Sequence, residues 1–353
     1  MTTAICLAAI SVNAQCKHKG YEVKAENSYT NYCVRQASNP RDAKSYDTQR
    51  LRREYLIEKI MAPGEVNWTY TTIDRFLVGG AMPTDTPLKL TSIEPLYVDL
   101  SKSDNGRNLL DNREIGIINV GGDGSVTVDG KRYDLAFQEA IYVGKGVKEI
   151  IVASKNAQNP AKFYMNSACA HQSYPTKKVS LKDAKNIIAG SAAESNDRVI
   201  HQMILNGVAG VRTCQLQMGI TELKSGSVWN TMPAHTHLKR MEVYFYFKVP
   251  EGQSVCHIMG EPQAVDSSDL DRQRTGCYQS RVECALRCRN FQLYFHLGYG
   301  WREPHLQRYA GGEDHRIEIR FTYKSSCLRI RAFLYAHAEH TPNQKPRQHG
   351  RGF

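Results

Sequence analysis

Two histidines and a glutamate in one short segment have residue types and spacing suited to metal binding. His235 and His237 are separated by one residue, and Glu242 follows five positions later. Alternate side chains of a β-strand share a face, so the two imidazoles would point the same way, and a bend at residues 238–240 would return Glu242 to them. Two neutral imidazoles and a carboxylate suit a divalent ion such as zinc, manganese or iron. The segment therefore predicts a metal site, with a surface hairpin carrying two incidental histidines as the alternative.

The segments around this motif have the pattern of short β-strands. From about Val66 onward, brief alternating apolar and polar runs are punctuated by glycines, as in an antiparallel barrel or sandwich. Asp129-Gly130 lies between two such runs and predicts a tight hairpin. Before them, residues 30–62 form an arm ending in a helix, for which residues 46–49 supply capping groups. A polar stretch near residues 181–193 is expected to be a helical connection between two β-domains.

Composition indicates a globular protein and restricts its partners. The chain has 353 residues, 41% of them hydrophobic, which is enough for two domains with cores of their own. No apolar run is long enough for a transmembrane helix, so no membrane partner is predicted. The formal charge of +11 is spread out, without a basic helix, an aromatic platform or a zinc knuckle, so no nucleic-acid partner is predicted either.

The cysteines and the N-terminus bear on the cellular compartment. Ten cysteines are present and none forms a CxxC pair, so a reducing, cytoplasmic location is expected. The apolar run at residues 4–12 resembles the hydrophobic region of a signal peptide, but no lysine or arginine precedes it. Export is therefore the lesser alternative.

Several longer blocks are similar to one enzyme family. The most informative block, residues 216–247, contains residues 229–233 (WNTMP) and 240–247 (RMEVYFYF). Further matching blocks are residues 46–52 (YDTQRLR), 78–83 (VGGAMP), 142–146 (YVGKG) and 174–178 (YPTKK). Over about residues 31–263, the chain resembles the bicupin family of 4-deoxy-L-threo-5-hexosulose-uronate ketol-isomerases.

The resemblance implies a mainly β fold of two tandem cupin (RmlC-like jelly-roll) barrels assembled into a homo-hexamer. It implies one Zn²⁺ per chain in the second barrel, held by His235, His237, Glu242 and a fourth histidine; the first barrel lacks an HxH motif and is expected to be metal-free. It also implies an intramolecular oxidoreductase that interconverts 5-dehydro-4-deoxy-D-glucuronate and 3-deoxy-D-glycero-2,5-hexodiulosonate in pectin and uronate degradation. The candidate cations for the carboxylate of this small-molecule uronate substrate are Lys177, Lys178, Lys239 and Arg240. The sequence does not identify the catalytic base.

The resemblance ends abruptly near residue 263. The family continues with a segment that supplies the fourth zinc ligand, and that segment is absent here as written. When degenerate codons for residues 277–304 are read one base later, they can encode the family pattern, and the junction of Ala285 and Leu286 can encode the missing histidine. The tail from about residue 264 is therefore interpreted as frameshifted and poorly structured, with activity impaired in this form.

The predicted organisation follows from these boundaries. It comprises a non-family leader, an N-terminal arm with a helix, a first cupin barrel, an incomplete metal-binding barrel and a frameshifted tail, at residues 1–29, 30–62, 63–190, 191–263 and 264–353. A genuine divergent domain is the alternative for the tail. As written, the fourth zinc ligand is missing unless another tail histidine substitutes, and His296 and His305 are the candidates. For function, the alternative is a non-catalytic cupin that binds a sugar acid as a sensor or interaction module, and a metal dioxygenase is a further option.

Overall fold

A computed structural model describes the backbone of residues 22–24, 29–43, 45–96, 107–230, 241–249, 254–260, 276–280, 283–286, 292–297, 317–320 and 331–334. Side chains are described for residues 29–43, 45–96, 107–230 and 241–249, and for Val255 and His257. The chain divides into two units, Met1–Gly300 and Trp301–Phe353. Across the described part of the chain, no helix combines the length and the apolar character needed to cross a membrane.

The described elements are mainly β-strands, which confirms the predicted all-β class. The α-helices among them are α1 (Pro40–Ala43) and α2 (Thr48–Tyr55), and short 3₁₀ helices cover Glu94–Leu96 and Ala192–Glu194. The strands are β1 (Glu22–Lys24), β2 (Thr30–Arg35), β3 (Leu56–Ile57), β4 (Val66–Thr71), β5 (Phe76–Ala81), β6 (Leu88–Lys89), β7 (Arg113–Asn119), β8 (Gly124–Val128), β9 (Lys131–Leu135), β10 (Ala140–Val143), β11 (Ile150–Ser154), β12 (Phe163–Cys169), β13 (Lys177–Val179), β14 (Lys185–Ala189), β15 (Arg198–Ile204), β16 (Met218–Leu223), β17 (Val243–Tyr246), β18 (Ser254–Gly260), β19 (Gly276–Ser280), β20 (Glu283–Leu286), β21 (Gln292–Leu297), β22 (Ile317–Arg320) and β23 (Arg331–Leu334).

Two sheets pack face to face around the first core. One has the strand order β1-β2-β4-β5-β12-β7-β10-β13, and the other has the order β6-β11-β8-β9. Their strands pair in antiparallel fashion except for β2 and β4, which are parallel. Large apolar side chains from both sheets meet between them, among them Leu77, Ile117, Val152 and Phe163. This part of the chain is a two-layer β-sandwich.

The predicted hairpin at Asp129-Gly130 is confirmed. These two residues join β8 to β9, and their φ angles are 44° and 81°. A two-residue hairpin with both central residues at positive φ matches the right-handed twist of its strands, which explains the Asp-Gly pair. The Asp129 carboxylate also accepts hydrogen bonds from the backbone N–H groups of Lys148 and Glu149, at 3.0 and 2.8 Å.

The eight-stranded sheet is covered on its outer face as well. Ile118, Tyr142 and Tyr164 on that face contact a second core that includes Ile204 of β15 and Met218 of β16. Gly116 of β7 allows this approach, because a Cβ atom there would clash with the side chains of Ile204 and Met218. A sheet buried on both faces requires continuous apolar strands, and every residue of β7 is buried.

The later strands form smaller sheets. Their orders are β14-β15-β16, β17-β20-β3 and β19-β18-β21, and in the second unit β22 pairs with β23. The helical connection expected near residues 181–193 is wrong, because residues 185–189 form β14 and pair in antiparallel fashion with β15. The β-branched pair Ile187-Ile188 favours a strand here, and pairing with β15 extends the strand over residues 185–189. The assignment of two cupin barrels, the domain boundaries and the frameshifted origin of the tail stay predictions.

Candidate active site

Strand β17 places polar and apolar side chains on opposite faces. Glu242, which precedes the strand, shares a face with Tyr244 and Tyr246 because side chains alternate. Residues Val243 and Phe245 point to the other face, where they pack against the second core. The Phe245 ring stacks on the Tyr164 ring with centroids 4.4 Å apart and planes 8° apart. This anchoring against the first sandwich fixes the direction in which the Glu242 face points.

The polar face of β17 carries two hydrogen-bonded pairs. The Tyr244 hydroxyl donates to the Glu242 carboxylate over 2.9 Å. The Tyr246 hydroxyl is hydrogen-bonded to Nδ1 of His257 over 2.8 Å, with the donor set by the imidazole tautomer. His257 lies on β18 and is only 1% exposed. Both tyrosine rings meet the imidazole edge to face, with centroids 6.1 and 6.0 Å apart.

Helix α2 packs against the same face of β17. Tyr46, Leu51 and Tyr55 form a buried cluster that Tyr244 and Tyr246 contact. The helix begins as its sequence predicts, with Asp47 as N-cap accepting a hydrogen bond from the Arg50 backbone N–H over 2.7 Å. It ends at Tyr55, because the chain becomes extended at Leu56. The N-terminal arm therefore contributes one wall of the candidate site.

A buried carboxylate fixes the segment that leads into β16. Glu114 of β7 is 0% exposed, and its Oε1 accepts hydrogen bonds from the backbone N–H groups of Gln215 and Leu216 at 2.8 and 2.7 Å. Its Oε2 accepts from the Cys214 N–H and the Tyr142 hydroxyl, both at 2.8 Å. Burial, followed by the bond to Glu114, raises the pKa of Tyr142 far above its ordinary range, so this hydroxyl stays protonated as a donor. We call these groups the Glu114 clamp.

The predicted metal ligands are only partly within the described residues. Glu242 is described, whereas His235 and His237 lie outside the described residues, so their convergence stays a prediction. Within the described part of the chain, no three His, Cys, Asp or Glu side chains form a group able to hold a metal ion.

Of the four candidate cations for the substrate carboxylate, two lie within the described residues and two lie outside them. Lys178 forms an ion pair with Glu139 at 2.6 Å, which neutralises it, and Lys177 is exposed on β13. Lys239 and Arg240 lie outside the described residues. Neither described lysine is therefore brought to the polar face of β17 by any contact in the structure.

Two positions in the tail bear on the missing ligand. The backbone of Ala285 in β20 pairs directly with Tyr244 of β17 in antiparallel fashion. The backbone of His296 pairs with Cys256 of β18, and His305 lies outside the described residues.

Two groups at the site were not identified from the sequence. His257 lies in a strand whose side chains alternate between two faces. This alternation is the one sequence signal that could have placed His257 on the inward face. No local sequence pattern marked Glu114, because the backbone N–H groups that donate to it are about a hundred residues away in sequence. The polar face of β17 thus brings together a carboxylate, two phenols and an imidazole, from Glu242, Tyr244, Tyr246 and the neighbouring His257. Groups of these types can hold a cation and move protons.

The chain is similar to known proteins over this region. The KduI/IolB family model matches residues 82–270. A protein of Formosa agariphila named 4-deoxy-L-threo-5-hexosulose-uronate ketol-isomerase is 55% identical over 234 residues, which are 66% of this chain and 80% of that protein. A protein of Bacteroides thetaiotaomicron named 4-deoxy-L-threo-5-hexosulose-uronate ketol-isomerase 1 is 51% identical over 232 residues, which are 66% of this chain and 79% of that protein.

Among solved structures, an IolB-like protein from Salmonella typhimurium is similar with a TM-score of 0.45 and 14% identity, over 73% of this chain and 81% of that chain. The matched region of the family model contains β17 and β18 with their polar residues. The resemblance seen in the sequence is thus confirmed, and the chain belongs to the KduI/IolB family.

Proposed function

We propose that this chain derives from a metal-dependent ketol-isomerase that interconverts 5-dehydro-4-deoxy-D-glucuronate and 3-deoxy-D-glycero-2,5-hexodiulosonate. The observation that carries the proposal is the 55% identity over 234 residues to a protein named as a ketol-isomerase, in a chain spanning 80% of that protein. The reaction moves one proton between adjacent carbons and one between their oxygens, through an enediol, with no net gain or loss of electrons. It needs a group that stabilises negative charge on oxygen and groups that transfer protons.

The donor set of the predicted metal site fits a divalent cation. Glu242 would hold the metal together with His235 and His237, and the hydrogen bond from Tyr244 orients its carboxylate. Metal-binding carboxylates are commonly hydrogen-bonded in this way, which supports the assignment. When bound, the metal would supply Lewis-acid polarisation of the substrate carbonyl.

Tyr246 and His257 are the groups we assign to proton transfer. The Tyr246 hydroxyl lies on the Glu242 face, and the buried imidazole of His257 behind it can accept or return a proton through the 2.8 Å hydrogen bond. A phenol backed by an imidazole can act on substrate while the imidazole remains away from solvent. The edge-to-face contacts with Tyr244 and Tyr246 fix the orientation of the imidazole ring.

The altered tail is proposed to impair this activity. In the family the fourth ligand is a histidine, and the reading frame that restores the family pattern places one at about position 285. The backbone pairing of Ala285 with Tyr244 supports this, because it places position 285 beside a residue that is two positions from Glu242. Without the ligand the metal would be held by fewer groups and bound more weakly. The homo-hexamer, the single zinc per chain and the cytoplasmic location remain proposals drawn from the resemblance and the composition.

The test is an assay of the purified chain on 5-dehydro-4-deoxy-D-glucuronate, with and without added zinc or iron. Slow aldose–ketose isomerisation that zinc enhances is the expected result. Binding of the sugar acid with no turnover under any metal would instead favour the non-catalytic cupin. Oxygen consumption that depends on iron would favour the dioxygenase.

A further inference from the structure

A cleft lies between helix α2 and the outer face of the parallel pair β2 and β4, away from the polar face of β17. Its volume is about 250 Å³. Tyr32 and Val34 of β2 point into the first core, so the alternate residues Asn31, Cys33 and Arg35 face the cleft. Asn67 of β4 and two arginines of α2 add to the polar part of the lining. The cleft is thus a polar pocket built on a sheet face.

The lining is strongly cationic. It holds the four cations Arg35, Arg52, Arg53 and Lys59 and one carboxylate, Glu58. Arg52 pairs with that carboxylate at 3.0 Å, and Lys59 pairs at 2.8 Å with a glutamate outside the lining. Among the described residues, no ion pair reaches Arg35 or Arg53. Two guanidinium groups at one small cleft leave a local excess of positive charge.

Two buried donors in the cleft have no hydrogen-bond acceptor within the described part of the chain. Nη1 of Arg35 is shielded from solvent and has no hydrogen-bond acceptor among the described residues. Asn67 is 8% exposed, and its Nδ2 likewise has no acceptor there. The amide orientation is fixed, since Oδ1 of Asn67 accepts a hydrogen bond from Nδ2 of Asn31 over 3.2 Å. Buried donors nearly always have a hydrogen-bond acceptor. A guanidinium N–H and an amide N–H without one in the same cleft therefore indicate a ligand that accepts hydrogen bonds.

We propose that this cleft binds a small oxyanion, a carboxylate or a phosphate group, through Arg35, Arg53 and the Asn67 amide. Guanidinium groups bind such planar or tetrahedral oxyanions with paired N–H donors, and a neutral amide donor adds to the set. The cleft volume is large enough for the anionic end of a small metabolite and excludes a large ligand. Glu242, the predicted metal ligand that the structure describes, does not line it.

Occupancy of the cleft has a consequence for the candidate active site. Helix α2 contributes Arg52 and Arg53 to the cleft on one side, while Leu51 and Tyr55 on another side belong to the cluster that contacts Tyr244. An anion bound by Arg53 and Arg35 would tie α2 to β2. Because the ligand binds the folded chain, it would also raise the temperature of unfolding.

The test is titration of the full chain with inorganic phosphate, with glucuronate and with neutral glucose, followed by calorimetry and thermal unfolding. Saturable binding of phosphate, of glucuronate or of both, but not of glucose, is expected, and comparing the two anions identifies the source of the oxyanion. Arg35→Gln and Arg53→Gln should each weaken binding about tenfold or more, because each removes charge-assisted hydrogen bonds. Arg53 is exposed, so its replacement leaves folding intact.

Arg132→Gln is the matched control, because it removes the same charge from an exposed arginine on β9 that is paired with Asp134. It should change anion affinity by less than about twofold, since isolated surface charges act weakly through water and salt. The proposal is overturned if no anion binds saturably, or if the control weakens binding as much as the cleft variants do. Because neither readout uses isomerase activity, failure here would leave the proposed function untouched.

Discussion

The Glu114 clamp makes a quantitative prediction about stability. Glu114→Gln keeps the size of the side chain but replaces one oxygen acceptor with a donor. The carboxylate accepts four hydrogen bonds at 2.7–2.8 Å, three of them from backbone N–H groups. The Tyr142 hydroxyl can rotate to accept from the new amide, but a backbone N–H of residues 214–216 must lose its acceptor.

The expected cost follows from these bonds. One unpaired buried N–H costs about 1–3 kcal/mol, and the remaining bonds lose the strength that a charged acceptor gives them, about 1 kcal/mol each. The lower cost of burying a neutral amide offsets part of this loss. We therefore expect Glu114→Gln to lower the free energy of unfolding by about 2–4 kcal/mol. Tyr142→Phe, which leaves the carboxylate with three backbone donors, should cost less.

The measurement is chemical and thermal unfolding of these variants beside Glu149→Gln. Glu149 forms an exposed ion pair with Lys89 at 2.8 Å, so the same chemical change there should cost at most about 1 kcal/mol. Because the clamp fixes the segment before β16, Glu114→Gln should also loosen the packing under β17. A loss no larger than that of Glu149→Gln would refute the reasoning.

Three further predictions concern the polar face and alkaline stability. Tyr244→Phe should weaken zinc binding about 10–100-fold, measured by competition with a chelator, because it removes the hydrogen bond that orients Glu242. Tyr246→Phe should lower kcat of an active form about 100-fold or more while leaving KM and zinc affinity near their original values, since it removes the hydroxyl bonded to His257. Burial and the bond to Glu114 raise the pKa of the Tyr142 hydroxyl above 10.0. The contribution of this hydroxyl to stability is therefore present below pH 10.0 and is lost as the pH rises further. Tyr142→Phe should consequently flatten the decline of Tm at alkaline pH.

Local sequence signals predicted the elements that depend on neighbouring residues. The hairpin at Asp129-Gly130 and the Asp47 cap of α2 are set by backbone conformations within a few residues, and both are confirmed. The all-β class followed from alternation and glycine spacing in the same way. In contrast, β14 was mistaken for a helical connection, because its strand-favouring pair Ile187-Ile188 is short and the strand is completed by pairing with β15.

The candidate site depended on contacts that the sequence pattern does not contain. Glu242 was identified from its spacing to His235 and His237, whereas its bond to Tyr244 and the pairing of Tyr246 with His257 require two strands to meet. The backbone hydrogen bonds that Glu114 accepts join segments about a hundred residues apart in sequence. The anion cleft likewise arises only when α2 lies over β2 and β4. Long-range pairing of this kind cannot be read from periodicity.

The most direct test of the central claim is zinc-dependent turnover in a frame-restored chain. Restoring the reading frame near residue 264 should give a chain that isomerises the uronate, loses that activity on chelation and regains it when zinc is added back. The chain as written should bind zinc weakly and turn over little, because the position of Ala285, opposite Tyr244, then carries no ligand. Equal turnover in the two chains, or turnover in the restored chain that survives complete removal of metal, would contradict the account.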